Sequence, residues 1–363
     1  MSTRFDPASP LSAPLLSAIG ETITRFLDDQ ETLLATIGSS DLLPVARAGT
    51  AGGKRLRPAY CYWGYVAAAG QPTDAQPLLD VASSLDLLHV SALVHDDLID
   101  DADTRRGMPS AHKQFEALHA GRGGRGSAAE FGTSSAILLG DLLLMWSIEL
   151  ADRSGAPGLD QARPLLSVMR AEVTAGQFLD VSAQYGVTGA SSVADELDAA
   201  QRILEYKSGR YSIRRPVQVG AALAGADDDL QAALAEFGSV IGRAFQLRDD
   251  VLGVYGRPEV TGKPYGGDIH EGKRTVLVLT ALTNASPAEA RELDDLLGAP
   301  GLTDGDVDRA AEIIESTGAR AHVDRIIDDG MRQAIAVLDS APMTSDGRTA
   351  LAQLAERSVN RAH

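Results

Sequence analysis

Residues Val81–Asp103, VASSLDLLHVSALVHDDLIDDAD, decide the fold class. Between Val81 and Ile99 apolar side chains recur every three or four residues, the period of a buried or amphipathic α-helix. The end of this helix carries aspartates at 96, 97, 100, 101 and 103. Asp96 and Asp100 are one turn apart and share a face, and Asp97 and Asp101 pair on the neighbouring stripe. Like charges at that spacing destabilise a helix, and the macrodipole disfavours anions in its last turns. Two penalties at one place point to a cation that removes them. Hard oxygen donors with open positions suit Mg²⁺, which takes a few carboxylates and completes its shell with substrate phosphates. The plainer reading is a solvated acidic helix end.

The same period runs through Pro14–Ile37, Ala136–Leu150, Leu165–Leu179 and Leu230–Val251. No alternating strand pattern competes with it. Aromatics are only 5% of the 363 residues, and Ala and Leu are plentiful, a balance that favours helices. Gly-, Pro- and Ser-rich breaks fall at Gly49–Gly53, Ala120–Ser135, Ser154–Gly158, Gly256–Gly272 and Gly298–Gly305. Each is short enough to join antiparallel helices, so the expectation is an all-α, single-domain antiparallel helix bundle over residues 1–363.

Composition excludes several classes of function. The single cysteine, Cys61, rules out an intramolecular disulfide and a Cys-based zinc site, and fits a reducing cytoplasm. The N-terminus lacks a basic patch followed by an apolar run, and runs such as Ala136–Leu139 are soon broken by Asp141, so no membrane span is expected. A net charge of −17 repels nucleic acid, and no basic stripe offsets it. It equally repels free diphosphates, unless metal cations or a local basic cluster intervene.

Both devices are visible. A second acidic pair, Asp249-Asp250, closes the apolar helix at Phe245–Gly253. In a bundle, two Asp-bearing helix ends facing each other would hold a metal-bridged diphosphate. Gly52-Gly53-Lys54-Arg55-Leu56-Arg57-Pro58 is a Gly-flanked basic cluster, in which glycines allow close approach and Lys54 and Arg57 offer a point charge and a planar fork. Thr104-Arg105-Arg106-Gly107 directly follows the first acidic cluster, where salt bridging to the aspartates is the bland alternative. Gln177 and Asp180 interrupt an apolar helix, Lys207 and Ser208 flank Gly209, and Lys263, Asp268 and Lys273 punctuate the Gly-rich loop. Taken singly, each is ordinary capping or surface chemistry, and His89 alone reads as a core histidine.

Taken in order, GGKRLRP, HDDLIDDADTRRG, AILLGD, GQFLD, KSGRY, FQLRDD and GKPYGGDIHEGK, spread from Gly52 to Lys273, resemble the trans-isoprenyl diphosphate synthase (polyprenyl synthetase) family. The resemblance implies a helical bundle around a deep central cavity, a homodimer, and Mg²⁺-dependent condensation of isopentenyl diphosphate with an allylic diphosphate, Mn²⁺ being a substitute metal. It assigns Asp96, Asp97, Asp100, Asp249 and Asp250 to metal, with Asp180 nearby. Lys54, Arg57, His89 and Arg106 would bind isopentenyl diphosphate, while Arg105, Lys207 and Lys263 would meet the allylic diphosphate. Ser208, Gln177 and Gln246 would face the reacting carbons, and Lys273 would close over the site. Small residues at Ser91 and Ala92, one turn before Asp96, imply a product longer than fifteen carbons, geranylgeranyl diphosphate, unless Leu88, Met145 or Trp146 sets the floor. Farnesyl or longer polyprenyl diphosphates are the alternative products.

One position departs from the family pattern. A third Asp of the second motif is replaced by Gly253, so the metal there would rely on Asp249, Asp250 and water, and Gly253→Asp would lower the Mg²⁺ requirement. A class I terpene cyclase shares the bundle but has no use for the second diphosphate cluster GGKRLRP. An inactive regulatory subunit would tend to lose Asp pairs that this chain keeps.

Overall fold

The computed structural model describes residues 4–256 and 265–360, which form two compact units. One comprises Met1–Arg163, Val219–Ala226 and Thr344–Ala350, and the other Pro164–Gln218, Asp227–Met343 and Leu351–His363.

The first unit holds α1 (Ala13–Ile37), α2 (Leu42–Thr50), α3 (Leu56–Ala69), α4 (Gln76–Ile99), α5 (Ala111–Gly121) and α6 (Ala128–Arg153). Local chemistry sets their ends. Pro14 opens α1 and left-handed Gly38 closes it, while the Ser127 hydroxyl accepts from Glu130 N at the start of α6. That cap places the start of α6 well inside the break expected at Ala120–Ser135. Its core is built on α3, where Tyr60, Tyr62 and Trp63 are fully buried. Tyr62 meets both Phe5 and Trp63 edge-to-face at 5.2 Å, and the Trp63 indole N–H donates to the Pro10 carbonyl at 3.0 Å. Helices α4 and α6 lie against each other. The Ser91 hydroxyl donates to the Gly140 carbonyl at 2.7 Å, and a side chain at Gly140 would overlap the His95 ring.

Two findings differ from the sequence reading. Thr104–Arg105 and Met108–Pro109 pair as a short antiparallel hairpin, too brief to leave an alternating pattern. In addition, α4 and α6 are long and apolar enough by composition to cross a membrane, because a few Asp residues do not spoil an 18-residue window. Their mutual packing explains the apolarity: 72% of the α4 window and 50% of the α6 window are buried in the protein.

The second unit contains most of α7 (Leu159–Gln184), then α8 (Val193–Ile203) and an 11-residue π-helix, Leu204–Arg214. Helix α9 (Arg215–Leu223) follows it, and α10 (Asp228–Tyr255) is capped by Asp227 accepting from Leu230 N. Beyond lie α11 (Gly267–His270), α12 (Val276–Asn284), α13 (Pro287–Leu296), α14 (Asp304–Ser316), α15 (Ala319–Ser340) and α16 (Ser345–Val359). Helix α10 packs on α15 and on the π-helix, burying Phe237, Ile241, Leu247 and Val251. Ser286 with Glu289, and Thr303 with Asp306, form capping boxes on α13 and α14.

Backbone contact in the first unit has a measurable signature. A methyl on Gly220 would overlap the Cys61 carbonyl, whereas one on Gly20 of α1 would meet nothing within 4 Å. Gly220→Ala is expected to cost about 1–3 kcal/mol of stability through overpacking. Gly20→Ala should gain up to about 1 kcal/mol from helix propensity. Chemical denaturation midpoints of the two variants check this, and equal midpoints would refute the close approach.

Candidate active site

In the first unit, two loop segments and the start of α3 gather cations around His89. Gly52, Gly53 and Arg55 all adopt left-handed conformations, with φ of +70°, +91° and +49°. The Arg106 guanidinium lies across Gly53, its Nη1 3.1 Å from where a Cβ would stand, so glycine admits it. Arg106 and Gly107 have φ of +54° and +75°, both positive as a two-residue hairpin turn demands. This turn presents Arg105 and Arg106 side by side. Burial, then the fields of Arg57, Arg106, Arg105 and Arg55, hold His89 well below the usual imidazole range. His89 is therefore held uncharged among guanidinium groups. Lys54 is exposed on the same turn.

The first acidic motif divides its labour. Asp97 is 3% exposed and accepts from Arg105 Nε at 2.6 Å and from its Nη2, while Asp96 lies 3.7 Å from Nη2. Asp97 was expected beside Asp96 as a metal ligand and Arg105 beside the allylic diphosphate. The structure pairs the two with each other, because successive helix positions point about 100° apart and position 97 turns into the protein. Burial raises the Asp97 carboxyl and Arg105 lowers it. Asp96 is partly accessible, and Asp100, the first residue beyond α4, is exposed.

In the second unit, Lys207 on the π-helix donates to Asp180 on α7 at 2.6 Å. Glycine makes that meeting possible: a side chain at Gly176 would overlap the Lys207 backbone, and Gly209 packs with its would-be Cβ 3.1 Å from Gly242 of α10. Long π-helices are rare and mark functional sites. Glu172, which the sequence reading passed over, accepts from Arg210 Nη1 and from Arg215 Nε and Nη2, each at 2.7 Å, and clamps the C-terminal half of this segment. Gln177 and Ser208 are half-buried neighbours of the Asp180–Lys207 pair in sequence.

Gln246 Nε2 donates to Asp250 at 3.0 Å. Asp250 is 5% exposed, and its carboxyl is pushed up to about 8, first by burial, then by the charges of Asp268 and Asp249, against the pull of Gln246. Gly253 is explained by the same cluster, since a side chain there would overlap the Asp268 carboxylate. The carboxylate missing at 253 has a neighbour in its place, supplied by α11. Lys273 pairs with Glu271, and Lys263 lies outside the described residues.

These donors fit a hard divalent cation. They are all carboxylate oxygens, and like charges crowded by burial are what a cation relieves. Among the described residues, no three Asp, Glu, His or Cys side chains converge on one point by themselves. Mg²⁺ takes few protein carboxylates and finishes its shell with phosphate and water.

The comparisons with known proteins agree. Residues 42–314 match the family model "Polyprenyl synthetase". The chain belongs to the polyprenyl synthetase family. It is thus an enzyme of prenyl chain elongation with the family's all-α fold. It is 33% identical over 321 residues to the short chain isoprenyl diphosphate synthase of Methanothermobacter thermautotrophicus, covering 86% of this chain and 88% of the relative. Against the geranylgeranyl diphosphate synthase of Mycobacterium tuberculosis it is 32% identical, covering 92% and 89%. The solved geranylgeranyl pyrophosphate synthase of Corynebacterium glutamicum, complexed with isoprenyl diphosphate and magnesium, superposes with a TM-score of 0.89 at 37% identity. That superposition covers 96% of this chain and 99% of the solved one.

The carboxylate cluster of this polyprenyl synthetase reverses the expectation for Gly253. Gly253→Asp forces a second carboxylate onto Asp268, so it should raise the Mg²⁺ concentration for half-maximal rate and lower thermal stability. Titrating activity against Mg²⁺ and recording melting curves tests this, and a lowered requirement would refute it.

Proposed function

We propose that this synthetase condenses isopentenyl diphosphate with an allylic diphosphate, using Mg²⁺ or, in its place, Mn²⁺. The observation that carries the reading is the arginine cradle around His89, set in a chain of net charge −17 that also keeps two carboxylate sets. Lys54, Arg57, His89 and Arg106 bind the diphosphate of isopentenyl diphosphate. Lys207, Arg105, Lys273 and Lys263 attend the allylic diphosphate, with Asp180 and Asp97 orienting the first two. Asp96, Asp97, Asp100, Asp249 and Asp250, with Asp180 nearby, would hold the metal, which when bound neutralises the leaving diphosphate.

No side-chain nucleophile is required. The allylic C–O bond breaks and its electron pair leaves on the diphosphate. The alkene of isopentenyl diphosphate then donates its π electrons to form the new C–C bond, and the proton lost from the adjacent carbon goes to the departed diphosphate. Fixed cations oriented before the reaction stabilise the leaving group without reorganising. Ser208, Gln177 and Gln246 line the region where the cation forms. We place the enzyme in the cytoplasm, with neither nucleic acid nor membrane as partner. Phe131, Leu138 and Met145, exposed on α6 at seven-residue spacing, are the face we assign to a homodimer.

Asp96→Ala and Asp249→Ala should each lower turnover by orders of magnitude with helix content intact, and excess chelator should abolish product. Circular dichroism beside a radiolabelled condensation assay measures both, and a near-normal rate in either variant removes that residue from the metal set.

For product length we propose twenty carbons, with Ala92 as the position that admits the last unit. Ser91 is committed to the Gly140 carbonyl, Leu88 is buried, Met145 is exposed, and Trp146 packs edge-on against Phe26. One turn spans about 5.4 Å, close to one isoprene unit. Ala92→Phe should therefore shorten the product by one unit, whereas Ser91→Phe should mainly lower the melting temperature. Chromatography of the dephosphorylated products decides, and unchanged lengths in Ala92→Phe would discard this face as the ruler.

A further inference from the structure

We propose that the buried Arg55–Asp86 ion pair is a positioning device that sets affinity for isopentenyl diphosphate by fixing the loop that carries Lys54 and Arg57. The proposal deepens the reading of that basic cluster as a diphosphate subsite and rests on it.

Arg55 lies between two proposed substrate cations, exposed Lys54 and half-buried Arg57, and is more deeply buried than either. It is 8% exposed and Asp86 5%, against an exposed Lys54. One arm of its guanidinium donates to the Asp86 carboxylate, and Nη2 donates to the Thr50 carbonyl at 2.5 Å. Thr50 is the last residue of α2, where helix carbonyls lack intrahelical partners. Its own hydroxyl turns back to the Ala46 carbonyl at 2.9 Å. Asp86 sits on α4 three residues before His89, so both side chains rise from one helix face. A single fork thus ties the end of α2, the loop and the helix bearing His89.

The tie is needed because the loop opposes order twice. Gly52 and Gly53 lose more conformational freedom than any other residue type on being fixed, and Arg55 itself holds a left-handed φ of +49°. Arg57, Arg105 and Arg106 also crowd together around His89, so the loop is pushed outward by like charge. A buried carboxylate inside the cluster offsets that push without occupying the surface where an anion would bind. Lysine at 55 could reach Asp86 or the Thr50 carbonyl, but lacks the planar fork that meets both.

A purely structural ion pair would affect stability alone, and the test separates the two roles. Asp86→Asn and Arg55→Lys should raise KM for isopentenyl diphosphate about tenfold, equivalent to about 1.4 kcal/mol. KM for the allylic substrate and kcat should change much less. The double variant Arg55→Met/Asp86→Leu replaces the pair by apolar side chains of similar size, an exchange that tends to preserve stability. It should melt near the wild-type temperature and still show the raised KM. A double variant with wild-type KM, or an Arg55→Lys variant with wild-type KM, overturns the positioning role. Arg57→Ala serves as the control for the underlying reading. If it leaves KM for isopentenyl diphosphate unchanged, the subsite assignment fails. If it raises KM while the double variant does not, only the positioning role falls.

Discussion

Repulsion between like charges held close together and out of water is the constraint around which the functional parts of both units are arranged. In the first unit Arg55, Arg57, Arg105 and Arg106 all act on His89. In the second, Asp249, Asp250 and Asp268 act on one another. The arginine crowd is tolerable because two members are neutralised from within, Arg55 by Asp86 and Arg105 by Asp97, and elsewhere in the second unit Lys207 pairs with Asp180. Removing one partner of a buried pair costs about 3–5 kcal/mol, since a bare charge stays behind. The counter-ions are therefore fixed parts of each cluster. What each cluster has left over is one sign of charge. A protein of net charge −17 can in this way attract an anion locally and a cation elsewhere.

Backbone geometry decides which charges are neutralised and which remain. Arg55 and Arg106 adopt left-handed conformations that non-glycine residues rarely accept, and Asp101 does the same at the end of the first acidic motif. Each lies within or next to a charged motif. In the second unit the strain is replaced by a π-helix, seated by Gly176, Gly209 and Gly242 and clamped by Glu172 between Arg210 and Arg215. Close approach through glycine and clamping through buried forks are two ways to the same end. Both hold a cationic side chain in place, and charges fixed in advance need no reorganisation during a reaction.

Helical periodicity made α1, α4, α6, α7 and α10 legible from their apolar spacing, while buried helices such as α3, α14 and α15 were not singled out. Acidic and basic motifs were legible because charge clusters stand out against that spacing. The division between Asp96 and Asp97 was not. Adjacent positions look equivalent in a string, and only the hairpin that swings Arg105 back to Asp97 separates them. Arg55 and Asp86 were hidden for the same reason: residues 31 apart declare no partnership until α3 and α4 are packed. The apolarity of α4 and α6 was underestimated because the reading stopped at each charge, while burial responds to the average over a helix.

Gly253 shows how far position in sequence can mislead about position in space. A motif reading counts a carboxylate as lost there and infers a weaker metal site. The packed chain brings Asp268, fifteen residues further on, into the volume a side chain at 253 would need. Glycine and the remote carboxylate then belong to one arrangement, since any larger residue at 253 would expel Asp268, and an Asp would add repulsion to overlap. A cation responds to the oxygens around it and not to their order along the chain. The space left by the departure from the motif is filled by another carboxylate, and the constraint it satisfies is the same one that governs the arginine cradle: like charges can be crowded only as far as a counter-ion can relieve them.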